Sequence, residues 1–266
     1  MKVSIVTICY NQAQFIDEAI RSVLNQDYGN IEYIVLDPGS TDGSRDAILK
    51  HSDRIHRIIF EPDRGPADAL NKGFRQATGD ILGFVNSDDK LLPGCVKQIV
   101  NKFTKMPSAD VVYGNGYIID SHGEIIRRVF SDRFNLRRFV YGCVTFVQPS
   151  VFFRRQSFES VGGFNPENKT SWDGELLADF GLRGFNFHLI NEFLSCFRLH
   201  DSSISGTGRL DDVYELYKVR LFHKVFHRDR LWFDSVLSII FRVEKWIHNP
   251  RSLAANVLRL LLPTRS

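Results

Sequence analysis

The tetrapeptide Asn86-Ser87-Asp88-Asp89 follows directly on the apolar run Ile81–Val85, with Lys90 the only cation close by. A short, wholly apolar run of this kind reads as a strand buried on both faces. Such a strand delivers two adjacent carboxylates to its C-terminal end, where each resists ionising unless a cation or hydrogen-bond donors compensate. A hard divalent ion carrying phosphate oxygens supplies that compensation, because magnesium is commonly held by one or two carboxylates plus substrate phosphates. A polar turn with two solvated acids is the plainer alternative for these four residues.

The elements that must position the pair repeat strand and helix. Val3–Tyr10 is strand-like, and Gln14–Asn25 places Phe15, Ile16, Ala19, Ile20, Val23 and Leu24 on one helical face. Strands at Ile31–Leu36 and Ile55–Phe60, helices at Ser44–Lys50 and Ala67–Ala77, and the Ile81 strand complete the pattern. This alternation predicts a parallel sheet covered on both faces, with ligands bound outside the carboxyl ends of its strands. Those ends carry Tyr10-Asn11, Asp37, Glu61 and Asn86–Asp89. After a helix at Gly94–Lys105 the rhythm changes to extended runs at Val111–Asn115, Tyr117–Asp120, Ile125–Phe130 and Val144–Arg154. A helix at Trp172–Gly184 and a strand at Phe185–Leu199 follow, then a Ser- and Gly-rich loop at 201–208 and a helical pattern from Asp211 onward, broken at Asn249-Pro250.

The chain has 266 residues, 43% hydrophobic and 24% charged, with a net charge of +3. These values describe a globular protein of one large domain with an appendage, and they give no argument for nucleic acid. The charge is uneven: residues 220–266 hold nine Arg and Lys against three acids, so the body is mildly acidic and the tail basic. Cys9, Cys95, Cys143 and Cys196 are widely spaced without a Cys-x-x-Cys pair, which argues against structural zinc or a disulfide framework and fits a reducing, cytoplasmic compartment. The apolar N-terminal run is too short for a secretory signal, and no run is long enough to span a bilayer. No Gly-x-Gly-x-x-Gly follows the first strand and no Gly-Lys-Ser/Thr loop exists, so a dinucleotide or P-loop site is not expected.

Several segments together resemble the family 2 glycosyltransferases of the GT-A fold. They are Val3-Ser4-Ile5-Val6-Thr7 with Tyr10-Asn11, Ala19-Ile20-x-Ser22-Val23-Leu24-x-Gln26, and Asp37-x-Gly39-Ser40-Thr41-Asp42-Gly43. Next come Glu61-Pro62-Asp63-x-Gly65, Asp68-Ala69-x-Asn71-Lys72-Gly73, Ala77-Thr78-Gly79-Asp80 and Asn86-Ser87-Asp88-Asp89, the last as a version of the DxD motif. Downstream lie Gln148-Pro149-Ser150, Gly162-Gly163-Phe164, Asp173-x-Glu175-Leu176 and Arg198-x-His200-x-x-Ser203. The resemblance implies an α/β fold of the GT-A type, a Rossmann-like α/β/α sandwich with a mostly parallel central sheet and a C-terminal helical extension. Its boundaries would be residues 1–105 for the nucleotide-sugar half, 106–205 for the acceptor half and 206–266 for the extension.

The activity implied is inverting, metal-dependent transfer of a hexosyl-type sugar from a UDP-, dTDP- or GDP-linked donor to a glycan or lipid-linked acceptor, in polysaccharide or lipid-linked glycan assembly. Thr7, Tyr10, Asn11, Asp37, Asp42, Asp68, Lys72, Asn86, Asp88 and Arg198 would then contact the donor. Asp88, Asp89 and His200 would hold Mn2+ or Mg2+, and Gln148 and Trp172 would meet the acceptor. Asp173 is the expected general base, with Glu175 the alternative because Trp172-Asp173-Gly174-Glu175 departs from the usual acidic pattern. An N-cap role for Asp173, a turn-forming role for Asp37 and a structural role for His200 stand beside these readings. Two rival functions remain open. A sugar-phosphate nucleotidyltransferase would need a Gly-rich, Arg-containing first loop where Tyr10-Asn11-Gln12 stands. A non-catalytic nucleotide-sugar or glycan binder would keep Asp37 without needing Asp89 or Asp173. The tail helix carrying Trp232, Val236, Leu237, Ile239, Ile240, Val243, Trp246 and Ile247, with Arg242 and Lys245 among them, suits the inner face of an anionic membrane, a second copy of the chain, or packing on the domain itself.

Overall fold

The computed structural model of the chain describes residues 1–201, 203 and 210–261, with side chains through 255. The first half alternates β1 (Val3–Ile8), α1 (Ile16–Leu24), β2 (Ile31–Leu36), α2 (Ser44–Leu49), β3 (Arg57–Ile59), α3 (Pro66–Gln76) and β4 (Ile81–Phe84). Then follow β5 (Lys90–Leu91), α4 (Cys95–Lys105), β6 (Val111–Ile119), β7 (Ile125–Val129), α5 (Leu136–Val140), β8 (Phe152–Arg154), α6 (Arg155–Ser160), α7 (Trp172–Leu182) and β9 (Phe187–Arg198). Three helices close the described chain: α8 (Asp211–Phe226), α9 (Trp232–His248) and α10 (Pro250–Leu261).

One mixed sheet runs β3-β2-β1-β4-β8-β6-β9-β5, with β7 paired on β6. Its first four strands are parallel, as their apolar runs and intervening helices require. β8 then enters antiparallel to both β4 and β6. One face packs Val3, Ile5, Tyr33 and Val35 against Ile16 and Ile20 of α1 and Ile99 and Phe103 of α4. The other packs Val6, Ile34, Leu36 and Phe84 against Leu70 and Phe74 of α3 and Leu176 and Phe180 of α7. α3 sits hard on the sheet: a Cβ on Gly73 would lie 2.6 Å from Val6 Cγ1 and 2.8 Å from Leu36 Cδ1. Any larger residue there would have to push the helix outward.

The parallel register makes the strand ends coincide. Ile8 stands beside Leu36 and Val6 beside Phe84, and the ladder continues past the strands through Cys9 N–H to Leu36 O (2.9 Å) and Val85 N–H to Val6 O (3.0 Å). Asp37 and Asn86 therefore leave the same edge of the sheet. At the opposite end of β2, Glu32 is a buried carboxylate that holds Lys2 Nζ at 2.7 Å, Ser4 Oγ at 2.5 Å and Thr78 N–H at 2.6 Å. Burial raises its pKa, but the donors Lys2, Ser4 and Thr78 outweigh burial and bring it down to about 2. A depressed carboxylate pKa contributes stability that is present above the unfolded value and lost as pH falls through the folded one. Glu32→Gln should therefore cost on the order of 3 kcal/mol at neutral pH. Denaturation curves of the two proteins should converge as pH drops from 4.5, the unperturbed value, towards 2.

The second half departs from the expected pattern in three places. β6 is one strand rather than two, and its register with β9 slips around Asn115 while Gly114 and Gly116 let Leu194 and Val147 come close. Of the expected extended run at Val144–Arg154 only Phe152–Arg154 is strand, because Gln148–Ser150 winds into a 3-10 turn at Pro149. The tail helix breaks at His227, whose φ of 54° is left-handed, and this turn separates α8 from α9. α8 and α9 pack on α5 and α7 through Phe222, Leu221, Leu237 and Phe241 against Tyr141, Val140 and Ala178. All four cysteines are buried and unbonded. Apart from Asp201 and Ser203, the loop expected at 201–208 lies outside the described residues, as do the side chains of most of the apolar stretch Leu253–Leu262.

Candidate active site

Asp37 is fully buried at the tip of β2. Its Oδ1 accepts from the N–H groups of Gly39 (2.9 Å) and Ser40 (2.8 Å) and from Arg45 Nε (2.8 Å). Its Oδ2 is buried with no protein partner. Burial pushes the pKa up, but the hydrogen bonds from Ser40, Arg45 and Gly39 prevail and hold the carboxyl below its ordinary value. The group is thus an anion at neutral pH with one oxygen committed to its own turn and one uncommitted. Arg45 also lies over the Phe60 ring, 4.6 Å from its centroid. The sequence reading missed Arg45 and Phe60. The available signal was a cation in the first turn of α2, where the helix dipole disfavours positive charge unless an acid faces it.

The rim around Asp37 is tied together by its own polar residues. Asn11, at a left-handed φ of 51°, donates its N–H to Ser40 Oγ (2.8 Å) and accepts from Thr41 N–H (2.9 Å). Asp42 accepts from Ala13 N–H (2.9 Å) and Ser44 N–H (3.0 Å), stapling the turn after β1 to the turn after β2. Tyr10 is exposed beside them. Asp68 accepts from Arg64 N–H (3.0 Å) and lies 3.3 Å from Lys72 Nζ, which itself donates to Pro62 O (2.5 Å). Asp63, part of the Glu61–Gly65 motif but given no role from the sequence, has its pKa raised by burial, with smaller contributions from Asp68 and Asp37. One expected donor contact does not reach the crevice. Thr7 is fully buried within the sheet layer, and its hydroxyl accepts from Tyr33 at 2.9 Å.

The acid pair sits where β4, β5 and β9 meet. Asp89 is 2% exposed; its Oδ1 accepts from Arg198 N–H (2.9 Å) and its Oδ2 from Asn86 Nδ2 (3.3 Å). Burial and the neighbouring Asp88 charge raise its pKa well above the ordinary value. Asp88 Oδ2 stands 3.0 Å from His200 Nε2. Two carboxylates and an imidazole thus lie together at this strand tip. Among the described residues, however, no three His, Cys, Asp or Glu side chains are grouped closely enough to hold a metal unaided.

Arg198 corrects a second expectation. It is 1% exposed, and its guanidinium donates to Asp88 O (2.8 Å) and Asp120 O (2.9 Å) and pairs with Glu18. It also lies 4.8 Å from the Phe15 centroid. Every face of this cation is engaged within the protein, so it braces the acid pair rather than meeting a diphosphate.

Gln148 links the acids to a pocket. Its Nε2 donates to Phe84 O (3.1 Å) and its Oε1 accepts from Asn86 Nδ2 (3.2 Å). Gln148 also lines a small, open-mouthed pocket with Phe84, Phe146, Phe153, Leu176 and Asp173. Asp173 is the one ionisable group among those lining residues, and burial raises its pKa. Glu175, two residues on, points elsewhere. It accepts from Asn168 Nδ2 (2.7 Å) and Asn165 Nδ2 (3.2 Å) and stands 3.6 Å from Lys224 Nζ. Trp172 is packed in the core beneath the pocket, 8% exposed, with its indole N–H buried and unpaired.

Residues 4–162 match the family model of glycosyl transferase family 2. The chain belongs to that family. The matched stretch contains Asp37, Asp88, Asp89 and Gln148 and ends before Asp173, Arg198 and His200. A family relative in Escherichia coli is the UDP-Glc:alpha-D-GlcNAc-diphosphoundecaprenol beta-1,3-glucosyltransferase WfgD, 30% identical over 209 residues that cover 77% of this chain and 79% of that one. The GT-A fold is shared with solved structures. Staphylococcus aureus TarS 1-349 in complex with UDP-GlcNAc gives a TM-score of 0.71 at 18% identity, covering 94% of this chain and 72% of that one. The mannosyltransferase PcManGT from Pyrobaculum calidifontis in complex with GDP-Man and Mn2+ gives 0.64 at 21%, covering 98% and 74%. The chain spans 66% of the length of the first two curated relatives that it matches, both uncharacterized glycosyltransferases.

Proposed function

We propose that this family 2 member is an inverting glycosyltransferase that moves a sugar from a nucleotide diphosphate to an acceptor hydroxyl. The observation that carries the proposal is the continuity from Asp89 through Asn86 and Gln148 to the Asp173 pocket. A binding module has no need of an ionisable acid in a pocket linked to an acid pair of which Asp89 is buried. Asp37 would receive the nucleobase: its unpaired Oδ2 is an acceptor for a ring N–H, as uracil, thymine and guanine all offer. Arg45 and the Gly39 and Ser40 amides keep that carboxylate charged and aimed.

A divalent ion would relieve the repulsion between Asp88 and Asp89, and His200 adjoins Asp88, although the three side chains would have to draw closer to bind it. Mn2+ or Mg2+ bound by Asp88, Asp89 and His200, its shell completed by donor phosphate oxygens, would act as a Lewis acid on the departing diphosphate. The Mn2+ in the PcManGT complex supports the use of a divalent ion. Asp173 takes the proton of the acceptor hydroxyl as its oxygen bonds to the anomeric carbon. The bond from that carbon to the phosphate oxygen breaks, and the diphosphate leaves with the electron pair. One displacement inverts the centre. Burial raises the Asp173 pKa towards that of the hydroxyl, which improves a carboxylate as a base. Gln148, which lines the pocket, would orient the acceptor, whereas Trp172 supports the pocket from the core. The diphosphoundecaprenol-linked acceptor in the WfgD name supports a lipid-linked glycan in that place, at the inner face of a membrane.

Donor hydrolysis and transfer, assayed with and without Mn2+, test the reading. Calorimetric titration with UDP and GDP tests the base site: Asp37→Asn should weaken the preferred nucleotide by about 10- to 100-fold, the worth of a hydrogen bond to a charged group. Unchanged affinity in a folded Asp37→Asn protein would remove Asp37 from the site.

A further inference from the structure

The α9 helix carries its apolar stripe on the wrong side for a helix that merely packs. Trp232 is 82% exposed, Ile239 64% and Ile247 70%, and Val236, Ile240, Val243 and Trp246 are exposed with them. Their spacing keeps to one face along 17 residues, about 25 Å of helix. The opposite face docks the helix and is mixed: Leu237 and Phe241 pack on the Tyr141 and Phe222 cluster, and polar groups tie the helix down around them. Asp234 is buried against Arg228 (2.7 Å) and Tyr141, and Lys245 reaches Asp132 (3.2 Å) and Thr145 Oγ1 (2.6 Å).

Charge settles which occupant suits the stripe. On α9 the acids Asp234 and Glu244 are buried or half-buried, whereas Arg242 is exposed within the stripe; at its ends Arg230, His248 and Arg251 are exposed against one exposed acid, Asp229. The exposed face of α8 also shows Val213, Leu216 and Val219, but Asp211, Asp212 and Glu215 stand among them. Among the described residues, only α9 combines a continuous apolar face with a surplus of exposed cations, and this is the complement of an anionic lipid surface. No described helix is long and apolar enough to cross a bilayer.

We propose that α9 lies flat in the headgroup region of an anionic membrane, with Trp232 and Trp246 at the interface near its two ends. Its docking also bears on the acceptor. Tyr141, Cys143 and Thr145 hold α9, with Cys143 Sγ 3.7 Å from Ser238 O, while Phe146 and Gln148 of the same segment line the Asp173 pocket. A membrane-seated α9 therefore brings that pocket to the surface where a lipid-linked acceptor resides. This last step rests on the transferase reading; the membrane surface itself does not.

The test is co-sedimentation of the full chain with phosphatidylcholine vesicles made with and without phosphatidylglycerol, beside sizing in solution. The full chain should pellet with the anionic vesicles. The triple variant Trp232→Ser, Ile239→Ser, Ile247→Ser should lose about a hundredfold in partitioning. Arg242→Glu should weaken binding to the anionic vesicles alone. Because these side chains lie outside the crevice, the triple variant should hydrolyse donor in solution like the parent, which shows that it folds. Equal pelleting of parent and triple variant would overturn the proposal. So would a parent that ignores vesicles and forms a dimer that the triple variant does not form, since the stripe would then belong to a second copy. Loss of donor hydrolysis in parent and variant alike would instead count against the transferase reading and leave the vesicle result standing.

Discussion

Asp173→Asn should lower glycosyl transfer by roughly 10²- to 10⁴-fold, the usual contribution of a positioned general base, while leaving nucleotide affinity in place. The side chain lines the Gln148 pocket and touches none of the residues that hold Asp37. Asparagine preserves its size and cannot take the proton. Glu175→Gln is the matched control. Its carboxylate is bound by Asn165, Asn168 and Lys224, so that change should disturb the first turn of α7 and cost stability more than turnover. The pH profile follows from the direction of the Asp173 shift. A base must be deprotonated to act, and burial raises its pKa, so turnover should climb with pH through that raised value and then level. Full transfer by Asp173→Asn with loss in Glu175→Gln would exchange the two roles.

Asp89→Asn should reduce divalent-stimulated turnover by about 10³-fold, the scale of several kcal/mol of charge stabilisation at the leaving group. The same change should raise the melting temperature of the metal-free protein. In the native protein a carboxylate that is 2% exposed faces the Asp88 charge, an arrangement that opposes folding. Asparagine removes the charge and keeps an oxygen for the Arg198 N–H. The Asn86 Oδ1, buried and unpaired, can turn to accept from the new amide. A more stable and nearly inactive variant is the signature of a strained functional site. A variant that loses stability instead, or keeps its turnover, would show Asp89 to be structural. Differential scanning and a donor-hydrolysis assay, each with and without Mn2+, separate these outcomes.

How much of this was legible in the sequence depends on how local the deciding physics is. The parallel half was readable because strand and helix periods are properties of short windows. The strand tips follow from them, so the sequence alone brings Asp37, Asn86, Asp88 and Asp89 to one edge. Arg198 was not readable. Its partner Glu18 lies 180 positions away, and nothing local distinguishes a buried brace from a cation facing a diphosphate. Thr7 failed for a related reason: alternation says that its side chain leaves one face of β1, but Tyr33 from β2 occupies that face. Asp173 and Glu175 were inseparable as letters, since both are acids in the first turn of one helix.

By itself the sequence determined the four-strand parallel unit, the family and the carboxylates that the unit presents at its edge. Hydrophobic periodicity and turn chemistry encode these over a few residues at a time. Only the tertiary structure decided that Asp173 faces the pocket while Glu175 is tied to Asn168, that Arg198 is spent inside the protein, and that α9 turns its apolar side outward. Each of those facts depends on which distant segment covers a given face, and a polar group's role changes once that neighbour supplies its partner.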